Sequence, residues 1–198
     1  MVINIIEQIQ AEQNRIKTSR NWCRYVLSDN YDAKKVLYDL MNNATQNFQW
    51  HSEYEALAEY IKDNKGMGLM LQGNVGTGKT MFVNMVYKPL IKILYNRNIP
   101  TYNAEELNTN FESMQEKQQL FIDDIGREKV AKNWGTELAN MDILADSLEK
   151  EDKFLICTTN LSTAELTQKY GERAIDRLKC YMKWVNFGTL TSQRPKVY

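Results

Sequence analysis

From residue 66 onward, short apolar runs alternate with longer stretches of helical spacing. GMGLMLQ (66–72), LFIDD (120–124) and KFLICTTN (153–160) are compact and apolar enough to be buried strands, IPTYN (99–103) is a weaker one, and YMKWVNF (181–187) is the last. Between them, one predicted helix runs on from Lys79, with Pro89 expected to kink or interrupt it, and another starts near Ala104. A further helix carries Leu138, Met141, Ile143, Leu144 and Leu148. Ser162 and Glu165 have the spacing of a capping box and open the next; Ser52 and Glu55 have it too, ahead of a helix with Leu57, Tyr60 and Ile61. Strands that alternate with helices imply a parallel sheet covered on both faces. Ligands of such sheets bind at the carboxyl ends of the strands.

The pattern differs before residue 50. Ile3, Ile5, Ile6, Ile9 and Ile16 follow a rough helical spacing, and Val36, Leu37, Leu40 and Met41 repeat it after an N-cap at Asp32. Residues 1–45 therefore read as a small helical N-terminal segment that either packs on the main domain or docks a partner. The polar stretch 42–50 reads as a linker, and residues 50–198 as the main domain.

Composition narrows the function classes. The 198 residues suffice for one α/β domain with a buried core and a small extension. Lys and Arg (25) balance Asp and Glu (25), so no overall field draws the chain to nucleic acid or membrane, and any polyanion site has to be local. Cys23, Cys157 and Cys180 are too few and too scattered for a disulfide framework or a zinc site. No run reaches membrane-spanning length and the first residues lack a signal-peptide layout. A cytoplasmic protein with no membrane partner is expected.

GNVGTGKT (73–80) lies between a strand and a helix and satisfies G-x-x-x-x-G-K-[ST]. In that context the backbone N–H groups of Gly73, Asn74, Val75, Gly76, Thr77, Gly78, Lys79, Thr80 and Met81 are candidates to cradle ATP or ADP phosphates at a helix N-terminus. Lys79 is expected at the β- and γ-phosphates, and the Thr80 hydroxyl on Mg²⁺. LFIDD ends in two carboxylates. Asp123 is assigned to the metal and Asp124 to the general base or water-orienting role, on the argument that strand alternation points neighbouring side chains in different directions. Asn160 follows the third strand, where it either orients the lytic water and contacts the γ-phosphate or turns the chain into the next helix.

GNVGTGKT, LFIDDIG, CTTNLS and YGERAIDRL, in this order, resemble the AAA+ ATPases, and within them the bacterial helicase-loader group of DnaC-, DnaI- and IstB-like proteins. The resemblance covers residues 50–198. It implies a P-loop NTPase three-layer α/β sandwich around a five-stranded parallel sheet of order 5-1-4-3-2, an AAA+ core without a sizeable lid, and ATP sites shared between subunits of a homo-oligomer. It also implies an arginine that reaches the neighbour's γ-phosphate: Arg177, with Arg173 as the alternative, or else either makes a surface ion pair with Glu172 or Asp176. Arg194 in FGTLTSQR matches the group's ending only loosely.

The implied activity is an Mg²⁺-dependent ATPase that loads or remodels a replicative helicase on single-stranded DNA. The alternatives are an IstB-like, transposase-associated ATPase and a nucleotide-gated switch with little hydrolysis. Arg127, Lys129 and Lys132, in GREKVAKNW with Trp134, are candidates for DNA contact, since cations interleaved with an aromatic suit phosphate contact and base stacking.

Overall fold

A computed structural model of the chain describes residues 5–9, 22–45, 48–127 and 134–188, with backbone only for 134–139. Asp32 opens the first named helix, α1 (Ala33–Thr45): its Oδ1 accepts from the backbone N–H of Lys34 at 2.9 Å and of Lys35 at 3.3 Å. The helix buries Leu37 and Met41. Helix α2 (Glu53–Lys62) follows, without the expected capping box. Ser52 already has helical φ and ψ and makes no side-chain cap bond, and the Glu55 carboxylate is taken instead by Trp50 Nε1 at 3.1 Å and Lys34 at 2.6 Å. A tryptophan five residues back and a lysine from α1 thus displace the expected bond.

Strand β1 (Gly68–Gln72) leads into the glycine loop and α3 (Lys79–Met81). Helical backbone then continues through a π segment (Phe82–Tyr87) into α4 (Lys88–Tyr95), so Pro89 does not end the helix. Proline lacks the N–H that a regular turn requires. The ladder widens just before it, with the Lys88 N–H reaching the Val83 carbonyl five residues back.

The remaining elements are β2 (Thr101–Asn103), α5 (Glu106–Thr109), α6 (Phe111–Gln115), β3 (Gln119–Ile125), α7 (Trp134–Lys150), β4 (Phe154–Thr159), α8 (Thr163–Tyr170), α9 (Glu172–Tyr181) and β5 (Met182–Asn186). Ser162 and Glu165 do form a reciprocal capping box at the start of α8. All strand pairs are parallel, in the order β2-β3-β4-β1-β5. This is the expected 5-1-4-3-2 read from the other edge.

Strand alternation divides the core in two. Leu69, Leu71, Phe121, Phe154 and Ile156 point into a cluster with Leu37, Met41, Leu57, Phe82 and Val83. Met70, Leu120, Ile122, Leu155 and Cys157 point the other way, onto Met141, Leu144, Leu166, Ile175 and Leu178. Each sheet face is dry, and helix α1 belongs to the first core. The buried Asn64 ties the segment before α1 to that core: its Oδ1 accepts from Tyr25 N–H at 2.8 Å, and its Nδ2 donates to the Cys23 carbonyl at 2.9 Å.

Candidate functional site

The carboxyl ends of β1, β3 and β4 converge on a cavity of about 550 Å³, within the size range of small-molecule sites. Val75 to Met81 form its floor, Ala44 and Thr45 one wall, and Asp124, Arg127 and Asn160 the other. Gly73 and Asn74 anchor the loop from behind. The Gly73 N–H donates to the Thr159 carbonyl at 3.1 Å, and the loop passes so close to β5 that a Cβ at Gly73 would lie 2.7 Å from the Phe187 carbonyl carbon. Only glycine fits there.

The Lys79 side chain is buried, with Nζ donating to the carbonyls of Gly73 at 2.6 Å and Asn74 at 2.8 Å and to Asn160 Oδ1 at 2.9 Å. The other end of the same amide, Asn160 Nδ2, donates to Asp124 Oδ1 at 3.0 Å. Ammonium on one side and carboxylate on the other fix which way the amide faces. Capping of the next helix falls to Ser162, so Asn160 faces Lys79 and Asp124 rather than α8.

Asp123 has a separate set of partners. Its Oδ1 accepts from Thr80 Oγ1 at 2.7 Å and from Thr158 Oγ1 at 2.5 Å. Thr158 Oγ1 in turn accepts from the Asp124 N–H at 2.8 Å, so one hydroxyl holds both consecutive aspartates. Simple alternation would send the two carboxylates to opposite sheet faces. The β3–β4 register instead shifts between Ile122 and Ile125, and Asp124 adopts a left-handed φ of 58°. This bulge turns both carboxylates toward the cavity end. Thr158 was invisible as a site residue in CTTN, because its role depends on the neighbouring strand's bulge.

Thr80 and Asp123 are hard oxygen donors, side by side, as Mg²⁺ prefers. Among the described residues, no group of three or more His, Cys, Asp or Glu side chains is placed to hold a metal ion.

The other candidates lie elsewhere or partly beyond view. Arg127 lines the cavity, and its Nη1 meets Asp124 Oδ2 at 3.0 Å. Lys129, Lys132 and Arg194 lie outside the described residues. Arg173 and Arg177 stand on α9 against α7, away from the cavity lining. Arg177 Nη1 is 2.6 Å from Asp146 Oδ1 and 3.5 Å from Asp142 Oδ1, and its Nε is 3.6 Å from Glu149. Arg173 reaches Asp142 at 3.6 Å and Asp146 at 3.4 Å with its side chain 64% exposed. The partners are on α7, not Glu172 or Asp176. Ala44 and Thr45, in the helix that read as a separate segment, were not anticipated at the cavity.

No helix among the described residues is long and apolar enough to cross a membrane. Solved structures share the fold. The crystal structure of the DnaC helicase loader superposes with a TM-score of 0.57 over 77% of this chain and 98% of its own, at 15% identity. AMPPCP-bound DnaA from Aquifex aeolicus gives 0.53 at 14% identity over 77% of this chain, which spans about half (52%) of that protein. DnaI gives 0.51 at 15% identity, covering 81% and 87%. No curated protein sequence matches the chain. The sequence profile of nSTAND3, described as Novel STAND NTPase 3, matches residues 48–196. With that match over most of its length and a P-loop at the strand ends, the chain belongs to the nSTAND3 family of nucleotide-binding NTPases.

Proposed function

We propose that the protein is an Mg²⁺-dependent ATPase that assembles with copies of itself and loads or remodels a replicative DNA helicase on single-stranded DNA. The observation that carries the ATPase reading is the pairing at one strand end of two sets of bonds: Thr80 and Thr158 on Asp123, and Lys79 through Asn160 to Asp124. The loop N–H groups and Lys79 bind the phosphates, and Lys79 exchanges its loop carbonyls for phosphate oxygens. Thr80 and Asp123 hold Mg²⁺, which neutralises charge on the β- and γ-phosphates when bound. Asp124 accepts a proton from, or orients, the attacking water, and Asn160 keeps its carboxylate aligned.

An arginine from the neighbouring subunit completes the site. Arg173, the more exposed of the two, leaves its own subunit at the smaller cost; Arg177 is held by three carboxylates. The helicase partner rests on likeness to a protein described as a helicase loader. One observation favours a second reading, a nucleotide-gated switch with little hydrolysis: both Asp124 oxygens are engaged, by Asn160 and by Arg127.

Steady-state phosphate release, with and without single-stranded DNA, separates the readings. Turnover that Asp124→Asn removes supports the ATPase, and absence of turnover at high protein concentration leaves the switch. Mixing Arg173→Ala or Arg177→Ala subunits with Asp124→Asn subunits tests the shared site, since one intact interface should restore release. Co-sedimentation with a replicative helicase, with and without ATP, tests the partner; a transposase that binds in its place would move the reading to the IstB-like class.

A further inference from the structure

Arg127 is the one guanidinium lining the cavity among the described residues, and its place there is built rather than incidental. The turn that carries it is pinned. Its N–H donates to the Asp124 carbonyl at 3.2 Å, Gly126 packs so tightly on Leu161 that an added Cβ would lie 2.3 Å from Cδ1, and the Gly126 carbonyl accepts from Lys169 Nζ at 2.9 Å. The backbone of residue 127 is therefore fixed beside the cavity, while its side chain is 77% exposed.

The bond from Arg127 to Asp124 Oδ2 is the outer of that carboxylate's two restraints. An exposed pair of this kind contributes little to stability, so its exchange for another anion costs little. A terminal phosphate carries more charge than a carboxylate, and the guanidinium fork matches its oxygens. We propose that Arg127 is a specificity-determining residue acting within its own subunit: it turns from Asp124 to the terminal phosphate of a nucleoside triphosphate, so that triphosphate binds in preference to diphosphate. Asp124 Oδ2 is then released only when a terminal phosphate is present. This rests on the proposed nucleotide site but not on hydrolysis.

The test is calorimetric titration of the full chain with AMPPCP and with ADP, both with Mg²⁺, for wild type, R127A and R127K. R127A is expected to weaken AMPPCP about tenfold, the loss of one charged hydrogen bond, and ADP by less than about twofold. R127K, which keeps the charge without the fork, should fall between. An equal loss for both nucleotides, no loss for either, or R127K below R127A would overturn the assignment. Wild type that binds neither nucleotide would sink the proposed site together with this inference. Wild type that discriminates but releases no phosphate would remove the ATPase reading and leave Arg127 in place.

Discussion

The cavity end of the sheet and the seam between α7 and α9 both set cations against carboxylates, but in different ways. At the cavity, Lys79 meets an amide and two carbonyls, and Asp123 meets two hydroxyls, all between 2.5 and 2.9 Å. The bonds join the glycine loop to the ends of β3 and β4, so no group can turn without breaking one. At the seam, Arg177 is spread over three carboxylates at 2.6 to 3.6 Å, and Arg173 shares two of them. Directional bonds to neutral groups fix orientation, which phosphate chemistry requires. Redundant charge pairs hold two helices together with no single geometry.

The largest expected effects lie at the cavity. Lys79→Ala should lower phosphate release by roughly 10³-fold and weaken triphosphate binding, since it removes the cation proposed to hold the phosphates. Asp124→Asn should lower release by about 10²-fold or more while leaving AMPPCP affinity within about threefold, because it keeps shape and one hydrogen-bonding oxygen. If both variants released phosphate at the wild-type rate, the cavity would not be the catalytic half of this comparison.

Next comes Thr158→Val, which sharpens the claim that directional bonds fix the site. The change keeps side-chain shape but removes the buried hydroxyl that donates to Asp123 and accepts from the Asp124 N–H. Leaving that N–H unpaired should cost about 2 kcal/mol in chemical denaturation. Activity should fall further than stability explains, with a higher Mg²⁺ requirement, because Asp123 loses a positioning donor. Unchanged stability would mean that the bulge holds without the threonine.

Legibility in the sequence follows the same division. Strands β1, β3 and β4 and the glycine loop are each a short unbroken run, and burial on both sheet faces makes each strand's run apolar and readable without a partner. The cap at Ser162 is local and legible; the one at Ser52 is lost to the nearby Trp50 and to Lys34, which the packing of α1 brings to Glu55. The position of the two aspartates at a strand end is legible, but alternation does not set their arrangement, since a bulge and the Thr158 hydroxyl orient them. The place of Arg127 at the cavity was not legible, because a basic, aromatic stretch carries no sign of the turn that sets it there.

At the seam the effects should be smaller. Arg177→Ala, a half-buried cation with several partners, should cost about 1 kcal/mol, and the exposed Arg173→Ala about 0.5 kcal/mol or less. Thermal unfolding in low and in 0.5 M salt, a concentration that screens exposed charges to about 4 Å, should bring the two variants closer to wild type. A loss above 3 kcal/mol at Arg177 would mark a buried, geometry-dependent pair and erase the contrast with the cavity.

The smallest effect is a pH dependence confined to acid. Lys150, hydrogen-bonded to Asp146, holds that carboxyl below the usual range against the cost of its burial, with help from Arg177 and Arg173. Asp142 shares both arginines with it, and Glu149 shares Arg177. A carboxyl depressed by folding takes its proton first in the unfolded chain. Its contribution is therefore complete above the ordinary aspartate value of about 4 and is lost as pH falls through the lower folded value. Asp146→Asn should accordingly be less stable than wild type at pH 6, and the difference should shrink toward pH 3 in urea titrations. A difference that held constant across that range would mean that the Asp146 charge adds nothing and that Arg177 is served by Asp142 and Glu149 alone, which is the redundancy that sets the seam apart from the cavity carried to its limit.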